Sequence, residues 1–184
     1  LLDAAGIPHP DEQVLTTNTG IYQPENPFVF PLAMKAIGPV HKSDVGGVVL
    51  DVGSCEEMHR HFDRLMQIEG ATGVLVQAMA SGVELFAGVK SEPGFGHLVL
   101  CGLGGVLIEV LGDFSSCLAP VSDEEATRMI RNLRGYPVIE GHRGGEGVNE
   151  PLFIDVIQRL SALAEAAPEI AEMDINPLMG SARD

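Results

Sequence analysis

The chain has 184 residues, enough to bury a substantial core either as one domain or as two small lobes. Eleven Lys and Arg stand against 26 Asp and Glu, and the formal net charge of −15 with a pI near 4.6 excludes nucleic acid or an anionic membrane as a general partner. Cys55, Cys101 and Cys117 are odd in number and lack CxxC spacing, which argues against a disulfide framework or a zinc site and for a reducing cytoplasm.

The opening LLDAAGIPHP carries no signal-peptide pattern and no initiator Met precedes it, so a domain of a longer polypeptide is expected. No apolar run reaches the roughly 20 residues that span a bilayer. FVFPLAMKAIG (28–38) reads as a buried strand with Lys35, one of only three lysines, inside its apolar run. A buried lysine needs a partner, although at a strand edge its stem can stay covered while the ammonium reaches water. The stretch that follows, HKSDVGG (41–47), offers consecutive backbone N–H groups, a small hydroxyl and two glycines that permit close approach. A loop of this kind folds over phosphate oxygens, which Lys35 would meet as a point charge. VVLDV (48–52) continues as a short strand. SCEEMHRHFDRLMQIEG then reads as an amphipathic helix, with Ser54 and Glu57 spaced as a capping box, Met58, Phe62, Leu65 and Met66 on one face, and Gly70 as its end.

Strands are expected next at 73–79, 83–91, 97–102 and 106–111, broken by SG, EPGFG and GLGG. Spacing this tight implies antiparallel hairpins rather than parallel crossovers. A second capped helix follows from Ser122 with Glu125 three residues on. YPVIEGHRGGEGVNEP (136–151) reads as a long polar loop, LFIDVIQRLSALAEAA as a third amphipathic helix, and AEMDINPL (171–178) as a short strand ending in a turn. The order is that of an α+β protein in two unequal lobes.

Several patterns bear on chemistry. CGLGGV (101–106) has the glycines of a dinucleotide fingerprint, but that motif needs a helix after it. Here the strand-like VLIEVL follows, so a tight hairpin or bulge under a close backbone neighbour is expected instead. Glu109 inside that apolar run needs a cation or a strong donor. Asp174 and Asn176, two apart on a strand, share a face. Two hard oxygen ligands so placed suit Mg²⁺ held between protein and phosphates, while Asn-Pro also serves as a plain turn cap. His59 and His61 point in different directions on their helix and cannot chelate together. Neither HExxH nor GxSxG occurs, and Arg143 reads as a solvated loop residue.

Taken together, FPLAMKAIGPVHKSDVGGVVLDV, VLVQAMASGVELFAGVKSEPGFGHLVLCGLGGVLIEVLGDFSSCLAPVS and AEMDINPL resemble the ATP-grasp domain of the ADP-forming (NDP-forming) acyl-CoA synthetases, in that family's order and over nearly the whole chain. The resemblance implies an α+β ATP-grasp fold, with two lobes of mainly antiparallel sheet enclosing a nucleotide cleft, the first lobe over 1–76 and the second over 77–184. It implies ATP/ADP and Mg²⁺ as cofactors. Lys35 then meets the phosphates, Ser43, Asp44, Gly46 and Gly47 form the loop over them, Gln77, Ala78 and Met79 are the adenine hinge, and Glu84 is the ribose-binding acid. The implied metal ligands are Glu109, Asp174 and Asn176.

The family works through phosphohistidine, with CoA bound by a partner ligase domain or subunit of a cytoplasmic, oligomeric synthetase. The resemblance makes His41 a second phosphoryl carrier, with Lys42 beside it to offset charge. A neutral imidazole is a competent nucleophile near pH 7. The chain departs from the pattern at 17–31, where a helix with an acidic start is usual, at His97 for proline, at Glu92 for aspartate, and in stopping soon after NPLMG, where another acidic strand is usual. A catalytically silent regulatory ATP-grasp module fused to a lysine acetyltransferase is a second reading, and a structural subunit without nucleotide a third.

Overall fold

The computed structural model describes residues 1–21, 28–39, 45–142 and 145–183, with backbone alone at Glu109. Contacts divide the chain into two compact units, His9–Ala80 and Leu1–Pro8 together with Ser81–Asp184.

In the unit His9–Ala80, four strands form an antiparallel sheet in the order β1 (Glu12–Leu15), β4 (Gly73–Ala78), β2 (Leu32–Ile37), β3 (Val48–Val52). Strand alternation turns Leu32, Met34 and Ala36 of β2, Val74 and Val76 of β4, and Leu15 of β1 to one face. Helix α2 (Cys55–Leu65) covers that face with Met58, Phe62 and Leu65, and Ile21 and Val52 complete a core in which each of these residues is buried. The helix starts where Ser54 predicts, its hydroxyl accepting from the Glu57 N–H at 3.2 Å. The capping box is half formed, because the Glu57 carboxylate accepts from the Gly53 N–H at 2.8 Å instead of from Ser54.

The other unit is built on an antiparallel sheet ordered β7 (Phe114–Leu118), β6 (Gly96–Leu103), β5 (Val83–Glu92), β8 (Glu172–Gly180). Leu85, Val89, Val99 and Cys101 pack against helices α4 (Asp123–Arg131) and α6 (Glu150–Ala166), which contribute Ile130, Ile157 and Leu160. Here the capping box is complete, Ser122 and Glu125 each bonding the other's backbone N–H. Ile7, beyond the short helix α1 (Leu2–Ala5), belongs to this second core. Arg159 of α6 donates from Nη1 to the carbonyls of Ala5 and Gly6 at 3.2 and 3.1 Å. The lobes expected at 1–76 and 77–184 thus compare with units whose contacts draw residues 1–8 to the later part of the chain. The earlier unit extends to Ala80, because β4 stays paired with both neighbours through Gln77 and the Met79 N–H bonds the Pro31 carbonyl.

Three segments differ from expectation. VLIEVL is a helix, α3 (Val106–Leu111), and not a strand. The strands before and after it, β6 and β7, already pair with each other from Leu98↔Leu118 to Gly102↔Phe114, so the six residues lie in their connection and cannot enter the sheet. YPVIE, read as loop, forms the short helix α5 (Tyr136–Glu140) and buries Ile139 in the core. AEMDINPL does not stop at a turn, since β8 continues through Pro177 to Gly180. As the edge strand it tolerates a residue without an N–H, and the register slips between Leu85↔Leu178 and Ala87↔Ile175 to absorb one extra residue of β8. Among the described residues no helix is long and apolar enough to cross a membrane.

Candidate functional site

Lys35 lies on the face of the first sheet opposite the α2 core, half-buried, as alternation along β2 requires. Its Nζ donates to Gln77 Oε1 at 2.9 Å, so the half-buried lysine has an amide partner. Gln77 sits directly across from Ala33 on β2 and from Glu12 on β1, and its Nε2 donates to Glu12 Oε2 at 2.8 Å. A small cavity of about 160 Å³ at this end of the sheet is lined by Glu12, Phe28, Leu32, Val76, Gln77 and Ala78.

The glycine loop returns to the same strand. Gly46 has φ +66, a conformation that needs glycine, and the Gly47 carbonyl accepts from the N–H of Ala36, next to Lys35, at 2.8 Å. A Cβ on Gly46 would lie 3.7 Å from Nη1 of Arg64, an exposed residue on the last turn of α2. Nothing in the sequence pattern marked Arg64 or Glu12, because each reaches its place only through sheet register or helix packing. His41, Lys42, Ser43 and Asp44 lie outside the described residues, as does Arg143.

A second locus forms in the other unit around the glycines after β6. The Gly104 N–H donates to the Glu84 carbonyl at 2.8 Å and the Gly105 N–H to Asn176 Oδ1 at 2.7 Å. A Cβ on Gly104 would overlap the Leu85 carbonyl, and one on Gly105, at φ +59, would overlap the Glu84 carboxylate. Close backbone approach is therefore what these glycines provide. A helix does follow them, correcting the strand expectation, yet the sheet is antiparallel, so the parallel unit of a dinucleotide fingerprint is not formed. Glu84 and Asn176 are brought together here, and Asp174 is exposed on the same side of β8 as Asn176. Glu109 falls on α3. Among the described residues no three His, Cys, Asp or Glu converge on a metal position.

Five other titratable groups among the described residues have structural surroundings. His59 Nε2 lies 3.6 Å from Asp63, and burial, then Arg64 and Arg60, hold the His61 pKa below its ordinary value. His97 bonds the Ile170 carbonyl through Nε2 at 2.8 Å. Burial pushes the Cys101 thiol up to about 12, far from a reactive thiolate. The Asp113 carboxylate, 7 % exposed, accepts from the N–H groups of Arg134 and Gly135 at 3.0 and 2.7 Å.

Two antiparallel α+β units, with a strand lysine beside a glycine loop in one of them, define an ATP-grasp domain, and residues 1–184 match that family throughout. The chain is 35% identical over 188 residues to the beta subunit of acetate--CoA ligase [ADP-forming] I from Pyrococcus furiosus, covering 97% of this chain and 81% of that one. It is 40% identical over 158 residues to acetate--CoA ligase [ADP-forming] I of Archaeoglobus fulgidus, covering 81% of this chain but only 23% of that longer protein. The acetyl-coenzyme A synthetase 1 of Ca. Korarchaeum cryptofilum, solved with coenzyme A and Ca-AMPCP, superposes with a TM-score of 0.90 at 33% identity, over 98% of this chain and 83% of that one. A further structure of that synthetase holds coenzyme A and Mg-AMPPCP, with a phosphohistidine segment pointing towards the nucleotide site, at a TM-score of 0.81 and 35% identity, over 98% and 82% of the two chains. This chain belongs to the ATP-grasp domains of the ADP-forming acyl-CoA synthetases.

Proposed function

We propose that this chain is the nucleotide-binding part of an ADP-forming acyl-CoA synthetase, an acid–thiol ligase, and passes a phosphoryl group between ATP/ADP and phosphohistidine. The observation that carries the reading is Lys35, a half-buried lysine held by an amide on the outer sheet face, with the glycine loop tied by Gly47 to the residue beside it. Lys35 meets the phosphates, and the loop of Ser43, Asp44, Gly46 and Gly47 lies over them. Gln77, Ala78 and Met79 serve as the adenine hinge and Glu84 takes the ribose.

Asp174 and Asn176, exposed on one side of β8, would hold a magnesium ion with Glu109 as a further ligand, Asn176 through the lone pair of Oδ1 that the Gly105 N–H leaves open. Such an ion would supply neutralisation of the charge that develops on the phosphates. His41 accepts the phosphoryl group on a ring nitrogen and Lys42 offsets its charge. CoA and the acyl group belong to a partner ligase domain or subunit in an oligomeric, cytoplasmic enzyme. The matches described above are all to synthetases, which gives a regulatory acetyltransferase module no support.

The complete synthetase incubated with Mg-ATP labelled at the γ-phosphate is expected to gain an acid-labile, alkali-stable label in the HKSDVGG peptide. His41→Ala is expected to lose that label and net turnover while keeping nucleotide affinity, since Lys35 and the loop amides remain. Turnover that survives the substitution would reduce His41 to a positional role.

A further inference from the structure

We infer that Glu12 is a positioning residue for Lys35, acting through the side-chain amide of Gln77, an inference that rests on the reading of Lys35 as the phosphate-contacting lysine. Glu12, Gln77 and Lys35 lie on three neighbouring strands, β1, β4 and β2, all on the sheet face away from the α2 core. Glu12 is directly opposite Gln77, whereas Lys35 pairs with Leu75 and so meets Gln77 on the diagonal. Two short bonds join them, Lys35 Nζ to Gln77 Oε1 at 2.9 Å and Gln77 Nε2 to Glu12 Oε2 at 2.8 Å.

The chemistry of the three groups permits one arrangement. An ammonium only donates and a carboxylate only accepts, while an amide has a distinct end for each. Turned over, the amide would set its NH₂ against the ammonium and its oxygen against the carboxylate, losing both charge-assisted bonds at once. Glu12 therefore keeps the Gln77 oxygen facing Lys35. That oxygen in turn selects one direction for a flexible four-carbon stem that otherwise samples many. Glu12 sits at the exposed outer edge of the row, so its charge is solvated and its effect on Lys35 passes through the amide. It also lines the small cavity beside Gln77, which makes direct contact with the nucleotide the competing role.

The test uses the complete synthetase and four variants: Glu12→Ala, Glu12→Gln, Lys35→Met and the Glu12→Ala/Lys35→Met double variant. Glu12→Ala is expected to lower kcat about 10-fold and to raise the nucleotide KM by less than about threefold, the signature of a displaced catalytic group. Glu12→Gln, whose oxygen can still accept from Gln77, is expected to recover most of kcat, and unchanged thermal midpoints would show that both variants fold. In the Lys35→Met background, Glu12→Ala is expected to bring no further loss. A full rate in Glu12→Ala, an equal loss in both backgrounds, or a raised KM with kcat intact would each overturn the inference. Should Lys35→Met itself leave nucleotide affinity and turnover unchanged, the reading of Lys35 falls and this inference with it. Failure of Glu12 alone, with Lys35→Met impaired, would leave that reading standing.

Discussion

Lys35→Met keeps the stem's apolar contacts and removes the charge. Mg-nucleotide binding is expected to weaken by about 1.5–3 kcal/mol, the range for a hydrogen bond to a charged group, and calorimetry on both proteins reads the difference. Equal affinities would take Lys35 out of the site. His61 gives a pH-dependent counterpart within the same unit. Burial, followed by Arg64 and Arg60, depresses its folded pKa below the ordinary 6.5. The unfolded chain therefore takes up the proton first, so the stability His61 contributes is fully present above about 6.5 and is lost as pH falls from there through the lower folded pKa. Unfolding midpoints measured from pH 8 to 5 should owe no slope to His61 above about 6.5 and should decline below it, and His61→Gln should flatten that lower part of the curve. At this scale the sequence showed that Lys35 needed a partner, because an ammonium in an apolar run is costly. It could not name Gln77, which lies 42 residues away and is delivered by strand register. Arg64 was equally hidden, since its place beside Gly46 depends on how α2 packs.

Helix starts with a side-chain cap were the most legible elements, because a cap is a local signal read within four residues. Ser54 and Ser122 both cap as their spacing predicts, but they are not equivalent. The Ser122 hydroxyl accepts from the Glu125 N–H and also donates to its carboxylate at 2.7 Å, and the same carboxylate accepts from the Ser122 N–H. Ser122→Ala is expected to cost about 1 kcal/mol and Ser54→Ala less, since Glu57 can go on bonding Gly53. Chemical denaturation of the two variants compares them, and a larger loss for Ser54→Ala would contradict the reciprocal box at Ser122. The least legible element was α3. Val, Leu and Ile in succession favour a strand, and that preference was overruled by the pairing of β6 with β7 on either side. Its short span leaves Val106 and Val110 at 70% and 72% exposure, a pattern of apolar residues without burial that composition alone reads as core.

Across the whole chain, the antiparallel α+β character followed from strand spacing, whereas the division into units did not. The chain passes from one unit into the other at Pro8 and back after Ala80, so His9–Ala80 is continuous and the other unit is closed by the first eight residues. No local pattern in LLDAAGIP announces a partner in α6, more than 150 residues later. The contact is nevertheless substantial: Ile7 is 2% exposed within the core of the later unit, and Arg159 bonds two of the adjacent carbonyls. Ile7→Ala is therefore expected to destabilise by about 2–5 kcal/mol, as for other fully buried large-to-small changes. Because each core is made wholly of its own unit's residues, the effect should also be confined. Native-state hydrogen exchange should show faster exchange along α6 and β5, with the amides of β2 and β4 unchanged. Loss of protection in β2 and β4 instead would mean that the opening residues support the His9–Ala80 unit, as the boundary read from sequence had it.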